Sequence, residues 1–340
     1  MFLFGFGNVG REVARILLEG YGRLPLELVG VASSRGVVRV EGPVDRGHLL
    51  RLAREGGRLD MHPGFKSDVD GIDAAVVAGS DLAFIALPPS YGSGEPNRMI
   101  VYSLLDSGVS LVTADKTVLA LDYERVTGLA REKGLFLGYR ATVAAGTPVL
   151  DAARMLRYRG VERVTAIVNA TTNYILGLVE QGRSFEEAVR EAIRVKLAEP
   201  DPTVDTHGWD SAAKLVITAG DLGYPVGLER VERVPLESVG EDAVRRALGE
   251  GRRVKYVARA DFREGVYRVE PMVVDAGSPL AMAEGEDNVA VFELEGSSVV
   301  VKGPAGPAWR TARVMVSEAL EYAEQWGLRV EYRIPDVLEG

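Results

Sequence analysis

Apolar and polar positions change period several times along the first third of the chain. Residues 2–6, FLFGF, form a continuous apolar run that begins almost at the N-terminus. Residues 9–20, VGREVARILLEG, then place apolar positions three and four apart, the period of an amphipathic helix. The exchange recurs as a strand pattern at 26–33, a helical one at 46–56 and the strand LAFIAL at 82–87. A helix over 96–108 stops at Gly108, a strand follows at 110–114, a helix over 123–134 stops at Gly134, and a strand follows at 135–139. LAFIAL carries no polar residue, as a strand buried on both faces requires. Short apolar strands alternating with helices predict an α/β domain with a doubly wound parallel sheet over 1–134.

From there the order changes. Helical periods follow one another at 148–158, 171–182, 185–196 and 208–221. Strand patterns lie around them at 161–170, 252–262, 266–274, 288–295 and 297–303. This predicts a second, α+β domain over 135–305 with a mixed or antiparallel sheet. A last helix, within 306–325, is expected to pack back on the first domain. The helix at 208–221 poses a problem of its own. Trp209, Ala212, Ala213, Val216, Ile217 and Gly220 make one apolar stripe, and Asp210 and Lys214 share the adjacent face. The ordinary reading of that pair is a solvated ion pair worth about 0.2–0.5 kcal/mol.

Composition narrows the function. The chain has 340 residues, 46% hydrophobic and 26% charged, enough for two domains with real cores. A net charge of −9 with no Lys/Arg block argues against a nucleic-acid partner. The absence of cysteine excludes a disulfide scaffold, cysteine-ligated zinc and a catalytic thiol together. No apolar run approaches the length of a membrane span, and the N-terminus lacks the basic start of a signal peptide. A cytoplasmic protein without a membrane partner is expected. His48, His62 and His207 are the only histidines, and none stands in a metal-ligand spacing.

GFGNVG places Gly5, Gly7 and Gly10 between a strand and a helix, the context in which G-x-G-x-x-G reads as a dinucleotide loop. Gly7 lets backbone N–H groups approach a pyrophosphate, and Gly10 lets the helix pack on the strand. The first domain is therefore expected to be a Rossmann-type dinucleotide-binding domain. An NAD site would end its second strand in an acid; this one ends VASSRG, with Ser34 and Arg35. Arg35 is either the partner of a 2′-phosphate or a solvated loop arginine. NADP is the expected cofactor, with NAD left open.

Hydride transfer needs a group that moves a hydroxyl proton. The histidines are poorly placed, so the seven lysines come forward. Lys116 follows the 110–114 strand, at the edge where ligands of open α/β sheets bind. Lys214 lies on the apolar helix. Before it, AEPDPTVDTHGWDSAAK packs Glu199, Asp201, Asp205 and Asp210 into twelve residues. Such a loop caps the helix or binds a cation, and a substrate ammonium qualifies. Asp201 and Asp205 are read as turn residues.

These segments together resemble the homoserine dehydrogenase family over nearly the whole chain. GFGNVG resembles its glycine loop, VTADK its T-A-N-K segment, and ATVAAGTP (141–148) its A-S/T-V-G-G-G-x-P turn. VNATTNYIL (168–176) is similar to its N-G-T-T-N-Y-I-L, and the run from Glu199 to Lys214 to its signature. SPLAMAEGEDNVAVF and GPAGPAWRTA match its late segments in order. The resemblance implies NAD(P)-dependent, reversible reduction of L-aspartate 4-semialdehyde to L-homoserine, in threonine, methionine and isoleucine biosynthesis. It implies that Lys116 and Lys214 pass the proton, with Asp210 beside them, and that Glu199 and Asp210 hold the substrate, Glu199 through its ammonium. It adds Asn8, Val9, Pro88, Lys116 and Gly303 to the dinucleotide contacts. It implies a monovalent cation, Na⁺ or K⁺, on the carbonyls of Val143, Ala145 and Thr147, and a homodimer. Asn169 and Thr172 either cap a helix or touch substrate.

Three positions depart from the family pattern. Asp115 replaces the Asn before the lysine, Arg140 stands where a Glu precedes the turn, and Lys196 holds a position usually given to Gly. The length implies a short form without the C-terminal regulatory domain of longer relatives. Two other functions remain: a dehydrogenase of another small amino acid on the same fold, and a non-catalytic NADP-binding regulatory protein.

Overall fold

The apolar run at the N-terminus becomes the central strand of a six-stranded sheet. In the computed structural model, which describes residues 1–328 and 330, its strands are β1 (Phe2–Phe4), β2 (Gly30–Ser33), β3 (Gly36–Arg39), β4 (Leu82–Ile85), β5 (Ser110–Thr113) and β6 (Leu137–Gly138). The order is β3-β2-β1-β4-β5-β6, and all but β3 run parallel. Helices α1 (Asn8–Glu19), α2 (Pro43–Glu55), α3 (Gly71–Val77), α4 (Asn97–Asp106) and α5 (Thr117–Glu132) lie between the strands in sequence. The chain leaves β1 toward β2 and returns to β4 on the other side, which opens a crevice at the carboxyl ends of these strands.

Two local features differ from the periodic reading. β3 is an antiparallel edge strand, paired with β2 so that Ser33 stands opposite Gly36. Ser34 and Arg35 are therefore the two residues of a tight hairpin turn. Gly36 sits at φ +145, and a Cβ there would lie 2.2 Å from the Lys66 carbonyl oxygen. Four residues are too few for the alternation to separate strand from loop. Helix α5 starts at Thr117, six residues before the expected 123, and bends at Asp122 (φ −139, ψ 37). Its first turn, TVLAL, is apolar nearly all round and shows no period. The early start makes Lys116 the residue that opens the helix.

Contacts divide the chain into two units. One takes Met1–Val118, Glu124–Thr142 and the chain from Gly306 on; the other takes Leu119–Tyr123 and Val143–Ala305. The second is built on a sheet of β7 (Val161–Ile167), β8 (Glu232–Arg233), β9 (Arg252–Asp261), β10 (Val266–Asp275), β11 (Asp287–Leu294) and β12 (Ser297–Pro304), in the order β12-β11-β7-β9-β10-β8. Every pairing is antiparallel except the short one between β8 and β10. Its helices are α6 (Val149–Leu156), α7 (Ala170–Glu180), α8 (Phe185–Arg194), α9 (Thr203–Thr206), α10 (Trp209–Leu222) and α11 (Glu241–Gly249). A box in which Ser184 and Glu187 bond each other's backbone N–H opens α8, satisfying two donors that a helix start leaves free. Ile167, Val257, Val274, Val289 and Val291 cluster on one face of the sheet, with Leu280 and Ala283 packed on them.

α10 is buried from Asp210 to Leu222 apart from the half-buried Lys214. Two glycines permit this. Gly208 opens the helix at φ +78, and a Cβ on it would lie 2.7 Å from the Tyr256 hydroxyl. Gly220 faces the Tyr123 ring, which a Cβ would meet at 2.6 Å. The last helix, α12 (Ala308–Gln325), packs on α1 in the first unit, with Ala312, Met315, Val316 and Ala319 in one cluster with Val13, Ala14, Ile16 and Leu17. No described helix is long and apolar enough to cross a membrane.

Candidate active site

In the first unit, the glycine loop separates what the fold demands from what a ligand would demand. A Cβ on Gly5, at φ +96, would lie 2.3 Å from the Ala86 oxygen, and one on Gly10 would lie 2.0 Å from the Gly5 oxygen. Both glycines are fixed by the approach of α1 to β1 and β4. A Cβ on Gly7 would meet nothing within 4 Å, and Gly7 adopts φ −83. Protein packing leaves that position free, as a cradle for a pyrophosphate requires. Among the described residues no side chain caps α1, and its first turn holds no acid. The N–H groups around Asn8 and Val9 are thus left for an anion at a helix N-terminus.

The loop borders a cleft of about 560 Å³ lined by Gly7, Ser34, Arg35, Arg58, Asp60 and Pro88, among others. Arg35 bonds Asp60 at 2.8 Å, and Arg58 chelates the same carboxylate. Hydrogen bonds from Arg58 and then Arg35 hold the Asp60 carboxyl down to about 2, so it is ionised throughout the neutral range. Two guanidinium groups against one carboxylate leave the cluster one positive charge in excess. Asp60 and Arg58 escaped the sequence reading because they lie 25 and 23 residues beyond Arg35, on a short 3-10 turn.

Beside the cleft, the buried Asn97, Thr117 and Asp115 tie the Pro88 carbonyl to the backbone that carries Lys116. Asn97 donates to the Pro88 oxygen (3.0 Å) and to the Thr117 hydroxyl (3.1 Å). Thr117 donates its N–H (3.0 Å) and its hydroxyl (2.7 Å) to Asp115 Oδ1. Asp115 thereby secures the first turn of α5 and the half-buried Lys116 that opens it. Burial pushes the Asp115 carboxyl above its usual range, and the Thr117 bonds only partly offset this. Arg140, in the same unit, is engaged by α12: its N–H donates to both oxygens of the fully buried Glu318, and its guanidinium binds Glu321.

In the second unit, Lys214 Nζ lies 2.7 Å from Asp210 Oδ2 and donates to the Val168 oxygen at 2.5 Å. The two side chains are 14% and 12% exposed. This is an enclosed pair, and the solvated reading falls. Asn169 joins a second carboxylate to it. Its Nδ2 donates to Asp210 (2.9 Å) and to Asp205 (2.6 Å), while its Oδ1 accepts the Thr172 N–H (2.9 Å) and caps α7. The fully buried Thr172 donates its hydroxyl to the Asn169 oxygen. Asn169 and Thr172 thus cap the helix and orient the carboxylates together. Asp201 accepts the Thr203 N–H and hydroxyl in a turn, whereas Asp205 is turned to the Asn169 amide. Burial, and next the Asp210 charge, raise its carboxyl.

Glu199 is exposed in the segment before α9. Nearby Lys196 adopts φ +61, the left-handed conformation that explains a glycine at this position in the family pattern. In the turn 143–147, Ala144 sits at φ +55, and the Ala144 and Thr147 oxygens accept the Thr147 and Val149 N–H groups. Gly303 on β12 faces Thr147, whose hydroxyl a Cβ would meet at 3.0 Å. Among the described residues, no group of three or more histidine and carboxylate side chains could hold a metal ion.

A glycine cradle at the carboxyl edge of a parallel sheet and an enclosed lysine–carboxylate pair are the equipment of an NAD(P)-dependent oxidoreductase. Comparison with known proteins narrows that class. A family model described as homoserine dehydrogenase matches residues 148–320. The chain is 33% identical over 308 residues to a homoserine dehydrogenase of Sulfurisphaera tokodaii, covering 90% of this chain and 93% of that one. It is 30% identical to an NAD(+)-dependent homoserine dehydrogenase of Pseudomonas canavaninivorans, covering 94% of each. A hyperthermophilic archaeal homoserine dehydrogenase solved in complex with NADPH superposes with a TM-score of 0.81 at 25% identity, covering 95% of this chain and 97% of that one. The chain belongs to the homoserine dehydrogenase family.

Proposed function

We propose that this enzyme interconverts L-aspartate 4-semialdehyde and L-homoserine, within amino-acid biosynthesis. The observation that carries the reading is the enclosed Asp210–Lys214 pair. An ammonium has three donors; Asp210 and the Val168 oxygen take two, which leaves one for a substrate oxygen. Asp210 and the Val168 oxygen fix the direction of the Lys214 side chain. The glycine loop, Gly5, Gly7 and Gly10, would hold NAD(P)H, which when bound would supply the hydride that the aldehyde carbon takes up. Lys214 supplies the proton that the aldehyde oxygen takes up, and in the reverse direction receives it. Lys116, opening α5 beyond the carboxyl end of β5, is the second lysine proposed for this transfer. Glu199, exposed and acidic, is the proposed partner of the substrate ammonium.

The net positive charge of Arg35, Arg58 and Asp60 supports NADP over NAD, since a 2′-phosphate gains two charge-assisted partners there. The Asp60 carboxylate, an acceptor for ribose hydroxyls, leaves NAD as a second substrate. Backbone oxygens of Val143, Ala145 and Thr147 are neutral donors of the kind a monovalent cation takes. A homodimer is proposed through the Val257–Val291 face of the second sheet, where Met282 and Val300 are 51% and 41% exposed. The test is homoserine oxidation with NADP and NAD side by side, with and without Na⁺ or K⁺, on protein whose mass in solution is measured. Turnover of another amino-acid alcohol in place of homoserine would overturn the assignment.

A further inference from the structure

One carboxylate of the second unit is built into the site and has no part in the proton transfer just described. Asp205 sits on the one-turn helix α9, and its Oδ1 accepts from Asn169 Nδ2 at 2.6 Å. The same nitrogen donates to Asp210 Oδ2 at 2.9 Å, and Asp210 Oδ2 also takes Lys214. Asn169 cannot turn its amide over without cost, because its Oδ1 is committed to the Thr172 N–H at the start of α7. One amide, held by a helix cap, therefore fixes two carboxylates at once.

We infer that Asp205 is a positioning residue of the proton-transfer pair: through the Asn169 amide it holds Asp210 against Lys214, and its charge sets the lower pH bound of that pair. This rests on the function proposed above. The groups that face Asp205 are Asp210 and Lys214 from α10, and Asn169 and Thr171 from the start of α7. Elsewhere on its own segment, His207 pairs with Glu237 at the surface (3.4 Å), and Asp201 caps Thr203. Two carboxylates on one nitrogen lie within the ~4–6 Å over which like charges oppose each other's ionisation. They titrate as a pair, so the proton that one holds limits the other. Burial, then Asp210, act on Asp205 in the same direction, both raising it. Neutralising Asp205 removes the repulsion and lets the remaining carboxylate ionise at lower pH.

The test has two readouts. The first is the pH profile of kcat/KM for reduction of L-aspartate 4-semialdehyde, in which Lys214 must carry its proton and the carboxylates set the acid limb, by the wild type, Asp205→Asn, Asp205→Ser and Asp205→Glu. Both neutral variants are expected to move the acid limb to lower pH by about one unit, and the glutamate variant to keep it in place. The second is carbon NMR of aspartate-labelled, unliganded protein. One carboxyl signal is expected to titrate above the ordinary aspartate range in the wild type and to be missing in Asp205→Asn. A lowered plateau with an unmoved acid limb would make Asp205 merely structural and overturn the inference. So would unfolding of both neutral variants, or a wild type in which no aspartate titrates high. Failure of the wild type to oxidise homoserine overturns the proposed function instead, and the NMR titration then decides the inference alone.

Discussion

The two candidate sites of this enzyme are made from different materials. The cleft of the first unit is bordered by the glycine loop and the uncapped start of α1, with Arg35, Arg58 and Asp60 also in its lining. The constellation of the second unit is mostly side chain, and its polar atoms are committed to one another through Asn169, Asp205, Asp210 and Lys214. A backbone cradle depends on the approach of elements, so it fails when a Cβ is added at a close contact. A side-chain network depends on charge and hydrogen-bond partners, so it fails when one group is removed, even where the fold survives. The same small substitution should therefore act on stability in one region and on turnover in the other.

Replacing Lys214 with Ala should give the largest effect. If Lys214 moves the proton as proposed, kcat should fall by about 10³-fold, within the range of general acid–base catalysis. Dinucleotide affinity, followed by nicotinamide fluorescence, should stay as in the wild type. Lost cofactor binding with chemistry intact would place Lys214 in the cleft and erase the contrast.

The glycine loop sharpens it from the other side. Gly10→Ala puts a Cβ 2.0 Å from the Gly5 oxygen, so denaturant unfolding should show a loss of about 3 kcal/mol. Gly7→Ala meets no protein atom and should stay within about 1 kcal/mol of the wild type in stability. Its dinucleotide affinity should nonetheless fall by about tenfold or more, equivalent to ~1.4 kcal/mol. Equal stability loss at both positions would show that Gly7 serves the fold.

A smaller effect is expected at the charged end of the cleft. Arg35→Ala removes one charge-assisted partner, worth about 1.5 kcal/mol, and should raise KM for NADP about tenfold while leaving KM for NAD within about twofold. A parallel loss with both dinucleotides would assign Arg35 to the fold of the hairpin turn.

The smallest effect falls on Asp115, where the side chain serves the backbone of the cleft. Burial raises its carboxyl, so the native state holds that proton more tightly than the unfolded chain. Stability from this group is then full below the ordinary aspartate value and declines as pH rises through the raised native value. Asp115→Asn keeps an oxygen acceptor for Thr117 without the buried charge. It should stabilise the protein on the order of 1 kcal/mol at neutral pH, with the gain vanishing in acid. A thermal melt series from acid to neutral pH reads this directly, and a loss at pH 7 would show that the ionised form is the one the network needs.

Much of the fold could be read along the chain. The strands around LAFIAL and the helix 308–325 carry their periods openly, and α12 spans Ala308–Gln325. What escaped was short or apolar on every side. β3 has four residues, and the first turn of α5 has no polar face. α3, with seven residues, is started by Asp70, whose side chain accepts two backbone N–H groups, a cap with too little periodic helix behind it to stand out. Of the candidate sites, Gly5, Gly7 and Gly10 were legible because their spacing is local. Asp210 and Lys214 were legible as a pair four residues apart, although their enclosure was not.

The sequence by itself determined the order of elements, the glycine loop and the i, i+4 pair on α10, since each is a property of residues close along the chain. Only the tertiary structure decided that Arg35 meets Asp60, 25 residues on, and that Asn169 meets Asp205 and Asp210, 36 and 41 residues on. Those partnerships depend on the path of the chain between them, and hydrophobic periods record burial but not which buried polar groups face each other. The excess positive charge beside the glycine loop, and the second carboxylate beside Lys214, both arise at that level.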